Sequence, residues 1–133
     1  MKKMLVLSDR IELEPLKILE LYLSELECRC EIENTNDFVI NFTERVQGCR
    51  DFDAFFLEIT STDSVSWDLA KQLRDSEEVK NAPIVAMLTW APNVVGPNYE
   101  VWEQHHKIFN SHLVWPVSPE QLKWMITEEL WRG

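Results

Sequence analysis

The sequence predicts a three-layer α/β/α sandwich on a parallel sheet, from two observations and one rule of strand pairing. Short apolar runs and stretches of helical periodicity alternate five times along the chain. The central run, Asp53-Ala-Phe-Phe-Leu-Glu58-Ile-Thr60, is not broken by Gly or Pro, as suits a strand covered on both faces. Strands separated by helical segments pair in parallel through right-handed crossovers. Ligands bind such sheets outside the carboxyl ends of the strands, which makes Glu58 the first candidate site residue.

Each element has its own signal. Lys3-Met-Leu-Val-Leu7 is a short apolar strand that closes on Ser8-Asp9. Pro15 suits the first turn of a helix, and Leu16, Leu19, Leu23 and Leu26 give that helix one apolar face. Cys28 to Glu33 alternates as a strand. Asn34-Thr-Asn36 caps the next helix, whose face is Phe38, Val39, Phe42 and Val46, and Gly48 ends it. After the central strand, Ser61-Thr-Asp-Ser64 supplies a cap for a helix with Val65, Leu69 and Leu73 on one face, and Trp67 off that face. Asn81-Ala-Pro83 stops the helix, and Ile84-Val-Ala-Met-Leu-Thr89 is a fourth buried strand. The Pro- and Gly-containing stretch from Trp90 to Pro97 is a loop, and Asn98 to Phe109 is a fourth helix. His112-Leu-Val-Trp115 is the fifth strand, and Ser118-Pro-Glu-Gln121 opens the last helix with a capping box.

Composition bounds the function. A chain of 133 residues with 45% hydrophobic and 27% charged residues suits one globular domain, 1–133. Its net charge of -10, with basic residues scattered, excludes a phosphate-backbone footprint and so nucleic acid as a partner of this domain. The apolar start Met4-Leu-Val-Leu7 is too short for a signal peptide, and no span nears the roughly 20 apolar residues that cross a bilayer. Cys28, Cys30 and Cys49 do not make a disulfide framework, and Cys28 with Cys30 makes only half a metal site; a reducing cytoplasm fits them. His105, His106 and His112 have no acid or cysteine spacing that completes a metal set. No nucleophile elbow and no phosphate-cradling glycine loop is present.

The ordered motifs resemble the receiver domain of two-component response regulators over nearly the whole chain. Asp53-Ala-Phe-Phe-Leu-Glu58 is similar to that family's D-hhhh-D third strand, and Leu73-Arg74 to its Leu-Arg at the end of the third helix. Pro83-Ile-Val-Ala-Met-Leu-Thr89 is similar to P-hhhhh-[TS], and Trp115-Pro116-Val-Ser-Pro-Glu-Gln-Leu122 to K-P-h-x-P-E-E-L. The resemblance implies a CheY-like, flavodoxin-like receiver fold with five parallel strands in the order 2-1-3-4-5. It also implies a phosphoryl pocket of two acids, a phosphoacceptor Asp, a hydroxyl, a Lys and Mg²⁺.

Matched residue by residue, that pocket is degenerate. Asp9 and Thr89 are kept, as is Pro116, at the family's usual cis-proline position. Ser8 replaces the first acid, Glu58 the phosphoacceptor and Trp115 the Lys; His112 stands where the family's switch-reporting Tyr or Phe is common. The extra methylene of Glu58 displaces the attacking oxygen by more than about 1 Å, which can cost on the order of 10²-fold in rate. Losing the Lys removes a charge-assisted bond worth roughly 1.5–3 kcal/mol from the phosphoryl group. With Ser8 in the pocket, Asp9 and Glu58 form at best a weak Mg²⁺ site, and no other cofactor is implied. The reading is a pseudo-receiver that is not an enzyme and has no catalytic residue. Glu58 is then either a fixed charge that imitates the phosphorylated state or a remnant acid solvated at the mouth of the crevice.

Six tryptophans point to a partner surface. Leu122, Met125, Ile126, Glu129 and Leu130 form the inner stripe of the last helix, with Glu129 at its edge, and Trp124 and Trp131 fall on the opposite side. Trp90, Trp102, Trp124 and Trp131 are assigned to an interface with a protein partner or a second copy. In receivers the face of the fourth helix, fifth strand and fifth helix commonly makes such contacts. The alternative for Trp90, Trp102 and Trp115 is that they fill the vacated acidic pocket and the loop before the fourth helix. The competing functions are a true phosphoacceptor using another acid, with Asp9 and Asp63 nearest, and a small flavodoxin-like binding protein.

Overall fold

In parallel sheets both faces are covered, so strand residues bury on both sides rather than alternating with polar ones. The computed structural model follows that rule; it describes residues 2–9, 14–59, 65–79, 81–89, 100, 102–104, 106–114 and 117–130. Five strands, β1 (Lys2–Ser8), β2 (Cys28–Asn34), β3 (Ala54–Ile59), β4 (Ile84–Leu88) and β5 (Ser111–Val114), form one parallel sheet in the order β2-β1-β3-β4-β5. Every residue of β3 and β4 is buried.

Alternation along the strands divides the core in two. Leu5, Leu7, Phe55, Leu57, Ile59, Ile84, Ala86 and Leu88 face one layer, which is closed by Phe38 of α2 (Thr35–Ile40), Val46 of α3 (Phe42–Gln47) and Leu69, Ala70 and Leu73 of α4 (Ser66–Asp75). Met4, Val6, Ala54, Phe56, Val85 and Met87 face the other. That layer is closed by Leu16, Leu19 and Leu23 of α1 (Glu14–Glu25) and by Leu122 of α5 (Pro119–Trp124), with Met125 and Ile126 beyond it. The three-layer sandwich and its strand order are therefore those the sequence predicts.

Local chemistry explains the boundaries. α1 hands over to β2 through Glu27 in the left-handed region (φ 61°), the usual geometry of a helix stop. Asn34 caps α2 by accepting from the Asp37 N–H at 3.0 Å. The single helix expected over Phe38–Val46 is instead two, broken at Asn41, whose side-chain amide donates to the Asp37 carbonyl at 3.1 Å. At the last helix, the Ser118 hydroxyl and Gln121 side chain complete the expected capping box. Met125–Leu130 then widens into a π-helical stretch, in which the Thr127 hydroxyl donates to the Lys123 carbonyl at 2.9 Å. The cap expected at Ser61–Ser64 and the loop Trp90–Pro97 lie outside the described residues.

Two polar devices hold the amino-terminal end of the sheet. The Lys3 N–H donates to Asp53 Oδ2 at 2.8 Å while the Asp53 N–H donates to the Lys3 carbonyl at 2.7 Å, which aligns β3 beside β1. Arg74, at the end of α4, donates to the carbonyls of Ala82 (3.0 Å) and Ile108 (2.9 Å) and to Asn110 Oδ1 (2.7 Å); that same oxygen accepts from the Ile84 N–H at 2.8 Å. Arg74 thus ties α4 to the entrances of both β4 and β5, a geometry that needs a planar fork of donors. Arg74→Lys should destabilise the fold by about 1.5–3 kcal/mol, read as a lower urea midpoint at unchanged slope.

Candidate functional site

The carboxyl ends of β1, β3 and β4 meet where the strand order crosses from β1 to β3, and parity decides what they present. Glu58 shares a face with Ala54 and Phe56, and Ser8 with Met4 and Val6; both faces look toward the α1 layer. Leu7 pairs with Leu57 across the sheet, so the next pair in register is Ser8 with Glu58. The Ser8 hydroxyl donates to Glu58 Oε1 at 2.8 Å. The Ser66 hydroxyl, at the start of α4, donates to the Glu58 backbone carbonyl, also at 2.8 Å. Glu58 is held through its side chain from one neighbour and through its main chain from another.

This placement corrects one expectation. Glu58 is 5% exposed and Ser8 is fully buried, so the carboxylate is not a remnant acid solvated at the mouth of the crevice. A buried charge requires a donor, and the hydroxyl at the position of the first pocket acid supplies it. Asp9 and Thr89, by contrast, are exposed on the bends that follow β1 and β4. The structure therefore joins Ser8 to Glu58 by a direct bond and sets Asp9 and Thr89 at the rim. Trp115, the remaining pocket position, and Pro116 lie outside the described residues.

The donors do not fit a resident Mg²⁺. Among the described residues no three His, Cys, Asp or Glu side chains come together as a metal set, and one oxygen of the would-be ligand Glu58 is engaged by Ser8. The thiols are no better as reactive groups. Burial and the nearby Glu20 and Glu31 carboxylates push Cys30 up to about 12, and burial with Glu33 pushes Cys49 up to about 11. Burial also raises Cys28.

The aromatic residues sort differently from the expectation. Trp67 and Trp102, each 8% exposed, belong to the core. Trp102 stacks on Phe109 (5.9 Å between ring centroids, 14° between planes), and Trp67 packs against both at 6.2 and 6.0 Å. Of the two readings of Trp102, burial favours the one in which it fills space inside the fold. α4 also sits differently from the expected Val65–Leu69–Leu73 face: Val65 is 42% exposed, while Ser66, anchored to β3, turns inward. The aromatic neighbours from 102–109 cover the flank that carries Trp67. Trp124 is 57% exposed. Trp90 and Trp131 lie outside the described residues.

His112 on β5 meets the Trp102 ring edge to face at 5.2 Å. Although its surface remains exposed, desolvation where His112 packs against its neighbours pulls its pKa below the ordinary histidine value, the Glu129 carboxylate opposes that shift, and His106 adds to it. Beside it runs a groove of about 640 Å³ between β5 and the last helix, lined by Ser111 to Val114 on one side and by Glu120, Gln121, Trp124, Met125 and Glu129 on the other. Sequence reasoning missed this groove because it belongs to neither element alone. It also missed Ser66 and Asn110, whose partners lie on other elements.

No protein-family model matches the chain, and no curated protein sequence does. Solved structures do. A CheY-like response regulator receiver domain from Methylobacillus flagellatus superposes with a TM-score of 0.68 at 18% identity, over 95% of this chain and 96% of that one. A chemotaxis response regulator of Vibrio cholerae gives 0.70 at 19%, over 95% and 96%. A sensor protein from Polaromonas gives 0.71 at 14%, over 97% and 95%. At these identities the likeness is one of fold: the chain has the receiver fold.

Two outcomes follow from this site. Ser8→Ala should cost about 1.5–3 kcal/mol in urea unfolding, because it strips a donor from a buried carboxylate. For His112 the folded-state pKa lies below the unfolded one, so the unfolded chain binds more protons in the window between them and stability falls as pH drops through about 6.5. His112→Phe should therefore lose less stability than the parent chain between about pH 7 and pH 5.5, measured by urea midpoints.

Proposed function

We propose that this chain is a receiver-like module of a two-component or phosphorelay system that works by protein contact and takes no phosphoryl group. The receiver fold supports the signalling class, and the Ser8–Glu58 bond is the observation that carries the rest. A phosphoacceptor must present an oxygen to the incoming phosphorus. Glu58 is buried, one oxygen is held by a hydroxyl from β1, and the acid that would share a metal with it has become that hydroxyl. The negative charge that a receiver acquires on phosphorylation is, on this reading, carried permanently by the side chain. No enzymatic step is assigned to the chain.

Output then depends on which protein is bound. The partner, or a second copy, is met on the face of β5 and the last helix, where Trp124 stands exposed. Among the described residues no helix is long and apolar enough to cross a membrane. A cytoplasmic module is the reading that suits the three free cysteines.

Incubation with acetyl phosphate and Mg²⁺ should give no phosphoryl adduct by intact mass. The triple variant Ser8→Asp, Glu58→Asp, Trp115→Lys should gain a Mg²⁺-dependent one. A stable adduct on the parent chain would overturn this function and favour the reading in which Asp9 or Asp63 is the acceptor.

A further inference from the structure

We infer that the groove beside β5 takes an extended, basic segment of a partner protein, added to the sheet as a further strand. The inference rests on the contact-based function above and names the chemistry of the contact. Successive strand side chains point to opposite faces, so a cavity that lay on one face would touch every second residue. This groove is lined by all four consecutive residues of β5, Ser111 to Val114, and therefore opens onto the strand's edge. Among the described residues β5 pairs with β4 and with no other strand, so this edge presents its backbone N–H and C=O groups to the groove. Strand addition is the binding mode that uses such groups.

The opposite wall selects the occupant's charge. Glu120, Gln121, Trp124, Met125 and Glu129 occupy one flank of the last helix, contributing two carboxylates and no Lys or Arg. Glu129 also accepts from the Ser111 hydroxyl, which places its charge at the amino-terminal end of β5. The half-exposed Trp124 indole offers a face for a cationic side chain. A second copy of this chain would bring the same carboxylates and a net charge of -10, so charge complementarity favours a basic partner over self-pairing. The four residues of β5 set the length: an extended segment covering about 13 Å.

The test begins with selection of a random peptide display library on the full chain, followed by fluorescence anisotropy of the best synthetic peptide. Selected sequences should carry Lys or Arg at alternating positions and exclude Pro from the middle. N-methylation of the peptide backbone at alternate positions should weaken binding about tenfold, with little effect at the positions between, because only every second N–H faces the sheet edge. Glu120→Lys should weaken it by a similar factor. Acidic, Pro-rich or helically spaced winners, indifference to N-methylation, or no enrichment would each overturn the inference. None of those results touches the function proposed above, which is judged by the phosphoryl adduct; the peptide measurements alter only the peptide or an exposed groove residue.

Discussion

Glu58 lies one residue from the end of a strand whose six residues are all buried in the middle of a parallel sheet, and a carboxylate in that place must find a hydrogen-bond donor within the protein. The β1–β3 register puts residue 8 beside it, and residue 8 is a serine. An acid at that position would set two carboxylates side by side and out of water. Two departures from the receiver pattern, Ser8 for an acid and Glu58 for Asp, are therefore one arrangement: the hydroxyl satisfies the longer carboxylate. The same bond engages one of the two oxygens of that carboxylate.

The rest of the architecture keeps that pair in place. Asp53 and Lys3 exchange hydrogen bonds at the entrance of β3, which sets the register that five positions later brings Glu58 to Ser8. Ser66 fastens the start of α4 to the Glu58 carbonyl, and Arg74 fastens its end to the segments leading into β4 and β5. One helix thus spans the sheet from its carboxyl to its amino end with a polar anchor at each. Trp67, between those anchors, packs against Trp102 and Phe109, and Trp102 in turn meets His112 on β5. The pocket strand and the β5 edge are linked through one aromatic layer.

Much of this was readable in the sequence where a pattern is local. Apolar runs without Gly or Pro marked β3 and β4, the Ser118–Gln121 box marked the last helix, and the acids and their substitutes lay at strand ends. The departures have a common cause. Trp67 reads as a surface aromatic because it lies off the Val65–Leu69–Leu73 stripe, and Trp102 is placed at an interface by its element, yet each is covered by a residue distant in sequence. Asn41 looks like an ordinary polar helix position, but its side chain competes for the Asp37 carbonyl and divides the helix.

By itself the sequence determined the sandwich, the parallel strand order implied by the resemblance, and the substitution of Ser8, Glu58 and Trp115 into the pocket positions, because periodicity and motif spacing are properties of neighbouring residues. Tertiary structure alone decided that Glu58 is buried and bonded to Ser8, that Trp67 and Trp102 are core, and that a groove with two carboxylates runs along the edge of β5. Each of those facts depends on strand register or on packing between elements. Both are set when segments far apart in the chain come into contact, and no local pattern encodes them.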